Sequence, residues 1–483
     1  MNTRRLSGEV GKKHRARQPE RKTAAVRGGY DAADYDATND SHWRAADSYS
    51  ANAQLDPSIR QLLRDRSRYE AENNGYYGGV VDTIAGDVVG SGPRPQVLIP
   101  DDAGRAVGRQ IEAWYRQWAA AAAIAEDLTL MEAASVRDGE SFGVFVDNPG
   151  LLGDGRTKVS LDLALYEAEQ VSDPWDFGLD PLYTDGVRVD AYGNPVEYTL
   201  LKNHPGGVSA FLSWDTERFP AWQVCHWFRR KRAGQVRGVP WMAAALPLFA
   251  QLRRYTLATL SAAEIAAMLA GIMETDGSAG QTGGPKIEHM DTVELVRGAL
   301  LTLPAGWQAK QFEAKQPVTN YAGFKEQVLN EVGRPASVPL NIVTGNSSGY
   351  NYSSARLDRQ LYFAACRRER QRMADRFLDR LFLRWANQAV LAYGLRDRVP
   401  PPDQWSWTWF WDGFTSIDPQ KDAEADAINL ENGTTTLARI CAEDGQDWED
   451  VIRQRAAELK LMRELGIDRP APRPPAPPPG AAA

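Results

Sequence analysis

The chain has 483 residues, of which 43% are hydrophobic and 25% are charged, and its formal net charge is −7. These values predict a globular protein of two to four domains and exclude one whose whole surface binds polyanions. The three cysteines lie far apart without metal-ligand spacing, so no disulfide framework, zinc site or other cofactor is expected. The sequence also predicts no membrane span and no secretory signal.

Residues 1–55 form an arm whose charge changes sign along the chain. Nine lysines and arginines between Arg4 and Arg27 accompany only two glutamates, and four aspartates follow by Asp40. This composition is typical of a disordered segment, which is either a solvated tail or a contact for a scaffold, another partner or nucleic acid.

Two helices are predicted next. Ordered structure is expected to begin at Asp56, and the apolar residues with helical spacing are Ile59, Leu62 and Leu63. A second helix is predicted at 104–125. Its apolar stripe is assigned to the core and consists of Ile111, Trp114, Tyr115 and Trp118.

Between residues 139 and 227 the sequence predicts β-strands. Polar and apolar residues alternate at 141–146 and at 158–166, and two runs within 186–202 surround a turn cluster at 192–195 that is typical of a hairpin. Strands combined with long helices predict an α+β fold.

Residues 139–143 match the G-x-S-x-G pattern of serine hydrolases, with Ser141 at the centre. In those enzymes the serine follows a strand and precedes a helix, whereas here a predicted helix precedes and a strand follows. We therefore interpret Ser141 as part of a tight turn. Five nearby aspartates lack the spacing of a calcium loop and are interpreted as solvated turn residues: Asp173, Asp176, Asp180, Asp185 and Asp190.

A basic, glycine-containing run at 225–242 leads into an Ala-, Leu- and Met-rich stretch that ends at Glu274. Proline is tolerated in the first turn of a helix, so Pro240 predicts the start of one long helix. At about 1.5 Å per residue this helix would be roughly 50 Å long, and it would need neighbours along that length.

A further long helix is predicted from Ser353, as its N-cap, to Gly394, as its stop. Its apolar stripe comprises Phe377, Leu381, Trp385 and Ala389. The strand predicted at 405–411 carries four tryptophans on one side, which either pack against the long helices or stack single-stranded bases or sugars.

Two shorter helices are predicted at 421–432 and 448–465. The residues expected to cap or stop them are Thr434, Asp447, Gly433 and Gly466. Beyond residue 468 the chain is rich in proline, which favours the polyproline II conformation.

Three ordered motifs resemble those of the lambda family of phage portal proteins. The first, H-x-F-x-x-x-R-x-G-Q-x-R-G-V-P, occupies 226–240, and the second occupies 341–356 and ends N-Y-S-S-A-R. The third, S-I-D-P-Q-K-D-A-x-A, begins at Ser416 and precedes E-N-G-T-T-T. Residues 73–95 fit the opening of the family, so the resemblance covers roughly 56–468.

The resemblance implies a portal-type α+β fold with an α/β wing, long stem helices, a small clip and a helical crown. Residues 1–55 and 469–483 lie outside it. The implied segments are the wing at 56–238 with 399–412, the first stem helix at 239–274, the clip at 275–318, the second stem helix and its connection at 319–340, the tunnel loop at 341–353, a long channel-side helix at 354–398 and the crown at 413–468.

The same resemblance implies a structural protein without enzymatic activity, a dodecameric ring at one capsid vertex through which double-stranded DNA is packaged and ejected. The implied partners are further copies of the chain, the terminase large subunit, head-completion and tail-connector proteins, and the major capsid and scaffold proteins. The implied location is the portal vertex of the virion, after assembly in the bacterial host cytoplasm. Since the chain has no P-loop motif, another protein would hydrolyse the ATP.

Two sets of site residues follow from the implied ring. Arg253 and Glu264 share the leucine-rich face of the first stem helix and would pair with neighbouring subunits. Seven neutral residues of the tunnel loop would line the narrowest part of the DNA path, because they cannot bind phosphates tightly: Asn346, Ser347, Ser348, Gly349, Tyr350, Asn351 and Tyr352.

Two alternatives belong to other classes of protein. One is a sequence-independent nucleic-acid-binding protein that uses the basic N-terminal arm and the tryptophan strand. The other is a serine hydrolase built on Ser141.

Overall fold

We describe a computed structural model of the chain. The residues that the structure describes are 41–100, 105–153, 155–175, 180–207, 214–268, 272–275, 307–310, 321–414 and 418–467. The chain divides into residues 1–50 and 51–483. In the first unit, 41–45 form a helical turn. Most of the predicted arm at 1–55, and all of the tail at 469–483, lie outside the described residues, and the elements below belong to the second unit.

The second unit begins with three helices: α1 (Ala51–Gln54), α2 (Pro57–Asn73) and α3 (Gly75–Val89). Asp56 caps α2, because its Oδ1 accepts hydrogen bonds from the backbone N–H groups of Ser58 at 2.8 Å and Ile59 at 3.0 Å. The predicted start of this helix is therefore confirmed.

Helix α2 buries polar residues and exposes apolar ones. Ile59 and Leu62 are 40% and 48% exposed. The buried positions are Arg60, Arg64, Ser67 and Glu70. Ion pairs therefore help to position α2, together with Leu63 and Ala71, which pack against the core.

A strand, two helices and seven further strands follow in chain order: β1 (Arg94–Leu98), α4 (Ala106–Ala121), α5 (Ile124–Arg137), β2 (Glu140–Asp147), β3 (Leu161–Tyr166), β4 (Tyr183–Thr184), β5 (Val187–Val189), β6 (Pro195–Leu201), β7 (Thr216–Pro220) and β8 (Val224–Phe228). Strand β2 is the centre of an antiparallel sheet between β3 and β8, and β4 to β7 form a second antiparallel sheet in chain order. The predicted strands and the hairpin between β5 and β6 are confirmed.

The predicted stripe of α4 packs into the core. Ile111, Tyr115 and Trp118 are buried, whereas Trp114 is half-buried and stacks on Tyr393 with ring centroids 3.9 Å apart. The assignment of this stripe to the core is confirmed.

The first long helix is shorter than predicted over 240–274. It is α6 (Leu246–Met268), and Glu274 lies instead in β9 (Ile272–Thr275), which pairs antiparallel with β10 (Trp307–Lys310). Pro240 does not start the helix, because the chain after it is held against α5 through a hydrogen bond from Trp241 N to Val136 O at 3.1 Å. The rest of the predicted clip at 275–318 lies outside the described residues.

The next elements are α7 (Tyr321–Gly333), α8 (Leu340–Thr344), α9 (Tyr352–Met373), a π-helical segment (Ala374–Leu378) and α10 (Asp379–Ala392). The N-cap of α9 is Asn351 and not Ser353, because Asn351 Oδ1 accepts from Ser354 N at 2.9 Å. Gly394, with φ of +68°, follows α10 as the predicted stop. The predicted stripe from Phe377 to Ala389 is buried.

Strand β11 (Ser406–Phe410) pairs antiparallel with β1 and precedes three helices: α11 (Pro419–Glu431), α12 (Leu437–Glu443) and α13 (Trp448–Glu464). Helix α12 was not predicted, and its cap is Thr436, which accepts from Arg439 N at 3.2 Å, so Thr434 is not the cap. Asp447 caps α13 as predicted, accepting from Glu449 N at 2.9 Å.

Helices and antiparallel sheets share one large hydrophobic core, and a smaller core lies between the sheets around Phe142, Tyr198 and Leu200. The chain therefore has the expected α+β class. None of the helices in the described ranges combines the length and apolarity needed to cross a bilayer.

Candidate DNA-channel loop, stem face and buried charge centre

Helices α6 and α7 pack side by side. Tyr255 of α6 stacks on Tyr321 of α7 with ring centroids 5.7 Å apart, and it also contacts Phe324 at 4.7 Å. Thr256 Oγ1 lies 3.0 Å from the Tyr321 hydroxyl. These contacts hold the two helices together at the middle of α6.

The leucine-rich face of α6 divides into a covered part and an exposed part. Phe249 and Leu252 are buried within the subunit, whereas Leu257 and Leu260 are 57% and 55% exposed. Phe324, on the adjacent α7, is 46% exposed. Neighbouring apolar side chains that remain exposed on two packed helices are typical of a surface that another protein covers.

The two charges predicted to contact neighbouring subunits differ in their surroundings. Arg253 pairs within its own chain, because its Nη2 lies 2.7 Å from Glu70 Oε2 and its guanidinium lies 5.0 Å from the Tyr69 ring. Arg253 therefore already has an anionic partner in its own chain, and its pairing with a neighbouring subunit stays a prediction. Glu264 is exposed and has no ion pair among the residues described.

The segment between α8 and α9 is an exposed loop at 345–351. It is shorter than the predicted tunnel loop at 341–353, because Asn341 is buried in α8 and Tyr352 begins α9. Gly345 ends α8 with φ of +64°, a backbone conformation that residues with a Cβ rarely adopt.

The loop contains no lysine or arginine and is held by hydrogen bonds within it and by hydrogen bonds to the end of α8, including one from Asn346 N to Asn341 O at 3.1 Å. Asn346 Oδ1 accepts from Ser348 N at 2.9 Å, and Tyr350 N donates to Ser347 O at 3.1 Å. Both serines and Asn346 are exposed, whereas Tyr350 is half-buried. Burial and the nearby Asp358 carboxylate raise the pKa of Tyr350. Neutral polar groups thus face outward while Tyr350 anchors the loop.

A buried charge centre lies at the start of β2. Glu140, which is 1% exposed, accepts from Arg237 Nη2 and from Gly238 N, both at 2.7 Å, and lies 3.0 Å from His226 Nε2. Burial alone would raise the pKa of Glu140, but the Arg237 charge and the His226 hydrogen bond hold it well below its ordinary value. Burial lowers the pKa of His226 to about 4, so its ring is neutral at pH 7.

Helix α2 supplies further cations to this centre. Arg60 pairs with Asp185 and lies 3.6 Å from Glu140 Oε1, while Arg237 Nη1 lies 3.2 Å from Asp185 Oδ2. The interpretation of Asp185 as a solvated turn residue is therefore wrong, because its carboxylate is mostly buried between two guanidinium groups. Asp176 lies outside the described residues.

The charge centre explains much of the first motif, at 226–240. His226, Arg237 and Gly238 all contact Glu140, and a Cβ on Gly238 would lie only 2.2 Å from Gly139 O. The motif therefore binds the chain to itself, and its Arg237 is not available to a ligand. The motif does not show this role by itself, because Glu140 lies 86 residues from His226 and 97 residues from Arg237 along the chain. The local sign of it in the sequence is the pair Gly139-Glu140.

The structure contradicts the turn assignment of Ser141 and does not support a hydrolase site that joins this serine to His226. Ser141 is buried inside β2 and its Oγ donates to Met131 O at 2.9 Å. In the pairing with β8, Ser141 lies opposite Trp227, whereas His226 lies opposite Phe142. Because successive residues of a strand point to opposite faces, the serine and the histidine cannot form a nucleophile–base pair.

The tryptophan strand packs against α10, as predicted. Trp407 and Trp409 both donate their Nε1–H to Asp379 Oδ1, at 2.7 and 2.8 Å, and the Trp407 ring lies 5.0 Å from Phe382. Trp405 is buried. The indoles are thus mainly part of the core.

Within the described ranges, one cluster has the spacing of metal ligands: Glu167, Glu169 and His204, whose ligand atoms lie within 4.8 Å of one another. Arg68 lies 2.9 Å from Glu169 and 3.4 Å from Glu167. Because arginine already compensates both carboxylates, the arrangement does not indicate a metal site.

Comparison with known proteins identifies the family. Residues 37–370 match the model of the family described as "Phage portal protein, lambda family". This match covers more than half of the chain, and the chain therefore belongs to the lambda family of phage portal proteins. The resemblance inferred from the three motifs is confirmed, and the alternative of a general nucleic-acid-binding protein is not supported.

Individual relatives are also portal proteins. The chain is 26% identical over 302 residues to a probable portal protein of Halomonas phage phiHAP-1, covering 59% of this chain and 56% of that relative, so it spans about half of the relative's length. It is 21% identical over 486 residues to portal protein B of Escherichia phage lambda and to the portal protein of Escherichia phage N15, covering 88% of each chain.

Solved structures with a distant likeness come from gene transfer agents. The neck of an empty particle, computed with C6 symmetry, gives a TM-score of 0.47 at 16% identity, covering 78% of this chain and 92% of that chain. The neck of a native particle, computed with C12 symmetry, gives a TM-score of 0.42 at 14% identity, covering 81% and 94%.

Proposed function

We propose that copies of this portal protein form a ring, expected to be a dodecamer, at one capsid vertex and that double-stranded DNA passes through it during packaging and ejection. The observation that carries the proposal is the family match over residues 37–370. The protein would be a structural component of the virion, without catalytic activity, assembled in the host cytoplasm.

In the proposed ring, each predicted segment would contain one or more of the elements described above. The wing at 56–238 would include α2 to β8, and β11 would join it through its pairing with β1. Helices α6 and α7 would be the stem, β9 and β10 would begin the clip, and α9 with α10 would lie beside the channel. Helices α11 to α13 would form the crown.

The loop at 345–351 would line the narrowest part of the DNA path. Affinity for a duplex depends strongly on the number of phosphates that lysine and arginine neutralise. A loop of serine, asparagine and glycine can touch DNA without holding it, and the net charge of −7 per copy also disfavours tight binding. The wall would thus let DNA slide.

The exposed leucines of α6, with Glu264 beside them, would be covered by a neighbouring copy. Leu257, Leu260 and Glu264 lie three and four residues apart, which places them on one side of the helix. The ring would then provide docking surfaces for the terminase large subunit, the head-completion and tail-connector proteins, and the capsid and scaffold proteins.

The loop assignment is tested by adding charge. Ser347→Arg with Ser348→Arg should leave rings intact, because both side chains are exposed, while lowering the yield of full capsids in a packaging assay. The matched control is Ser347→Ala with Ser348→Ala, which should package normally. Removing residues 346–349 while keeping the Tyr350 anchor should also preserve rings but weaken retention of packaged DNA.

Normal packaging by the arginine variant would contradict the placement of the loop in the DNA path. Loss of rings in the alanine control would show that the loop instead holds subunits together. The two outcomes are distinguished by imaging the rings before the packaging assay.

A further inference from the structure

Helices α11 and α13 make up most of the predicted crown, and one chain alone covers them poorly. The structure describes every residue of both helices, and none of these residues is buried. Isolated helices shorter than about 12–15 residues are marginal in water, and most helices in proteins are stabilised by packing one face against a neighbour. With 13 and 17 residues, α11 and α13 therefore have faces that are free to pack on another molecule.

One side of α13 is apolar and carries two cations. At about 100° per residue, the residues within about 60° of Leu459 form a continuous stripe along the helix. We call it the α13 stripe, and it consists of Trp448, Ile452, Arg455, Ala456, Leu459, Met462 and Arg463. Ile452 is 44% exposed, and both arginines are exposed without an ion pair among the described residues. The stripe contains no aspartate or glutamate, so it is basic around its apolar residues.

One side of α11 is its counterpart. Ile428 is 57% exposed, and Glu424 and Glu431 lie four residues before it and three residues after it, both exposed. Spacings of three and four residues place all three side chains on one side of the helix, and we call them the α11 stripe. Lys421 shares this side, but its charge is compensated in its own chain, with its Nζ 2.7 Å from Asp418 Oδ2. The α11 stripe is therefore acidic around one apolar residue.

The two stripes match in spacing and in charge. Each has an apolar residue, Ile428 or Leu459, between two like charges. At about 1.5 Å per residue, the charges lie about 6 and 4.5 Å from Ile428 along α11, and about 6 Å on either side of Leu459 along α13. If Ile428 packs on Leu459, each glutamate lies beside an arginine whether the helices run parallel or antiparallel. Charges that flank an apolar contact in this way select the partner of a helix.

The charges also decide which surface can cover each stripe. Two α13 stripes would bring arginines together, and two α11 stripes would bring glutamates together. DNA phosphates would compensate the arginines but would leave the apolar residues of the α13 stripe uncovered. A ring, in contrast, joins two different surfaces of the same chain, each of them exposed before assembly. The α11 and α13 stripes have this relation.

We propose that α11 of one copy packs on α13 of the next copy, with Ile428 against Leu459. The glutamates of the α11 stripe then pair with the arginines of the α13 stripe. This inference rests on the proposed ring, and it adds a contact at the crown to the contact proposed at the stem. The crown of each copy is thus completed by its neighbour.

Cross-linking of the full chain tests this contact. The three native cysteines are buried, so Ile428→Cys with Leu459→Cys supplies two reactive thiols to each copy. A short bismaleimide reagent should then link each copy to the next and give a ladder of multimers on a denaturing gel. Each single-cysteine variant is a control and should stay monomeric, because like stripes do not meet. Negative-stain images of the same samples show whether rings are present.

Charge reversal tests the pairing between the stripes. In the double-cysteine chain, Arg455→Glu with Arg463→Glu should reduce the ladder to the level of the single-cysteine variants. Adding Glu424→Arg with Glu431→Arg should restore it. These four side chains are exposed, so their substitution leaves the core intact.

A matched control reverses two exposed cations on another side of α13, Arg453→Glu with Lys460→Glu, and should keep the ladder. A ladder that is equally strong in this control and in Arg455→Glu with Arg463→Glu would overturn the proposal.

The images separate this inference from the proposed ring. Rings that give no ladder in the double-cysteine chain would overturn the crown contact and leave the proposed ring intact. A link that forms within single chains would also overturn the crown contact. A wild-type chain that forms no rings would contradict the proposed function and the crown contact together.

Discussion

Replacing Glu140 by glutamine removes the carboxylate on which Arg237, Arg60 and His226 converge. The amide keeps the size of the side chain but not its charge, so the effect isolates electrostatics from packing. Arg237, whose side chain is 2% exposed, then keeps only Asp185, at 3.2 Å, as an anionic partner.

Removing one member of a buried ion pair costs about 3–5 kcal/mol, because a buried charge is left without compensation. Since Asp185 still compensates part of the Arg237 charge, we expect about 3 kcal/mol for Glu140→Gln. The entropy of unfolding grows with chain length, by about 2.1 cal/mol/K per residue, so in the unit of residues 51–483 this loss of free energy gives an expected decrease in Tm of about 3 °C.

Thermal unfolding monitored by tryptophan fluorescence measures this change. The matched control is Glu197→Gln, because Glu197 also lies in a strand and faces an arginine, Arg218 at 3.8 Å, but on the surface. The control should change stability by no more than about 0.5 kcal/mol. If Glu140→Gln lowered Tm no more than Glu197→Gln, the charge centre would not hold the fold together.

Two further predictions concern a titrating carboxylate and the stem. Burial, and then the nearby Glu369 charge, raise the pKa of Glu132 to about 7. Its folded state binds the proton more tightly than its unfolded state, so its stabilising contribution is complete below the unfolded pKa and is lost as pH rises through 7. Glutamine mimics the neutral form of Glu132. The difference in the free energy of unfolding between Glu132→Gln and the wild type should therefore be about 2 kcal/mol more favourable to the variant at pH 8 than at pH 5. An equal difference at the two pH values would contradict the raised pKa. Glu264→Arg should shift sedimentation profiles from rings towards monomers, whereas Glu197→Arg should not, and an unchanged ring population in Glu264→Arg would exclude that residue from the interface.

Local sequence rules predicted the elements whose ends are set by nearby residues. The start of α2 follows from the side chain of Asp56, and the end of α10 follows from the backbone freedom of Gly394. The apolar stripe of α4 and the strands β5 and β6 could be predicted because their apolar residues repeat with the period of a helix or of a strand. The neutral composition of the loop before α9 could also be read from the sequence. The N-cap of α9 could not, because both Asn351 and Ser353 are suitable capping residues and Asn351 is the one that accepts the hydrogen bond.

The elements that sequence analysis misplaced depend on distant partners. Helix α6 begins at Leu246 because the preceding residues are bound elsewhere, with Arg237 on Glu140 and Trp241 N on Val136 O. The arginines of helix α2 face inward because they pair with carboxylates from other parts of the chain, such as Glu140 and Asp185. Amphipathic patterns assume that the core is apolar, and no local pattern shows a buried charge centre.

Assembly into a ring can be measured by native mass spectrometry of the purified full chain, combined with negative-stain imaging. We expect a closed assembly of a single copy number, with twelve subunits as the expected value, and images that show a central channel. A protein that stays monomeric at micromolar concentration and binds DNA strongly in that form would contradict the proposed ring.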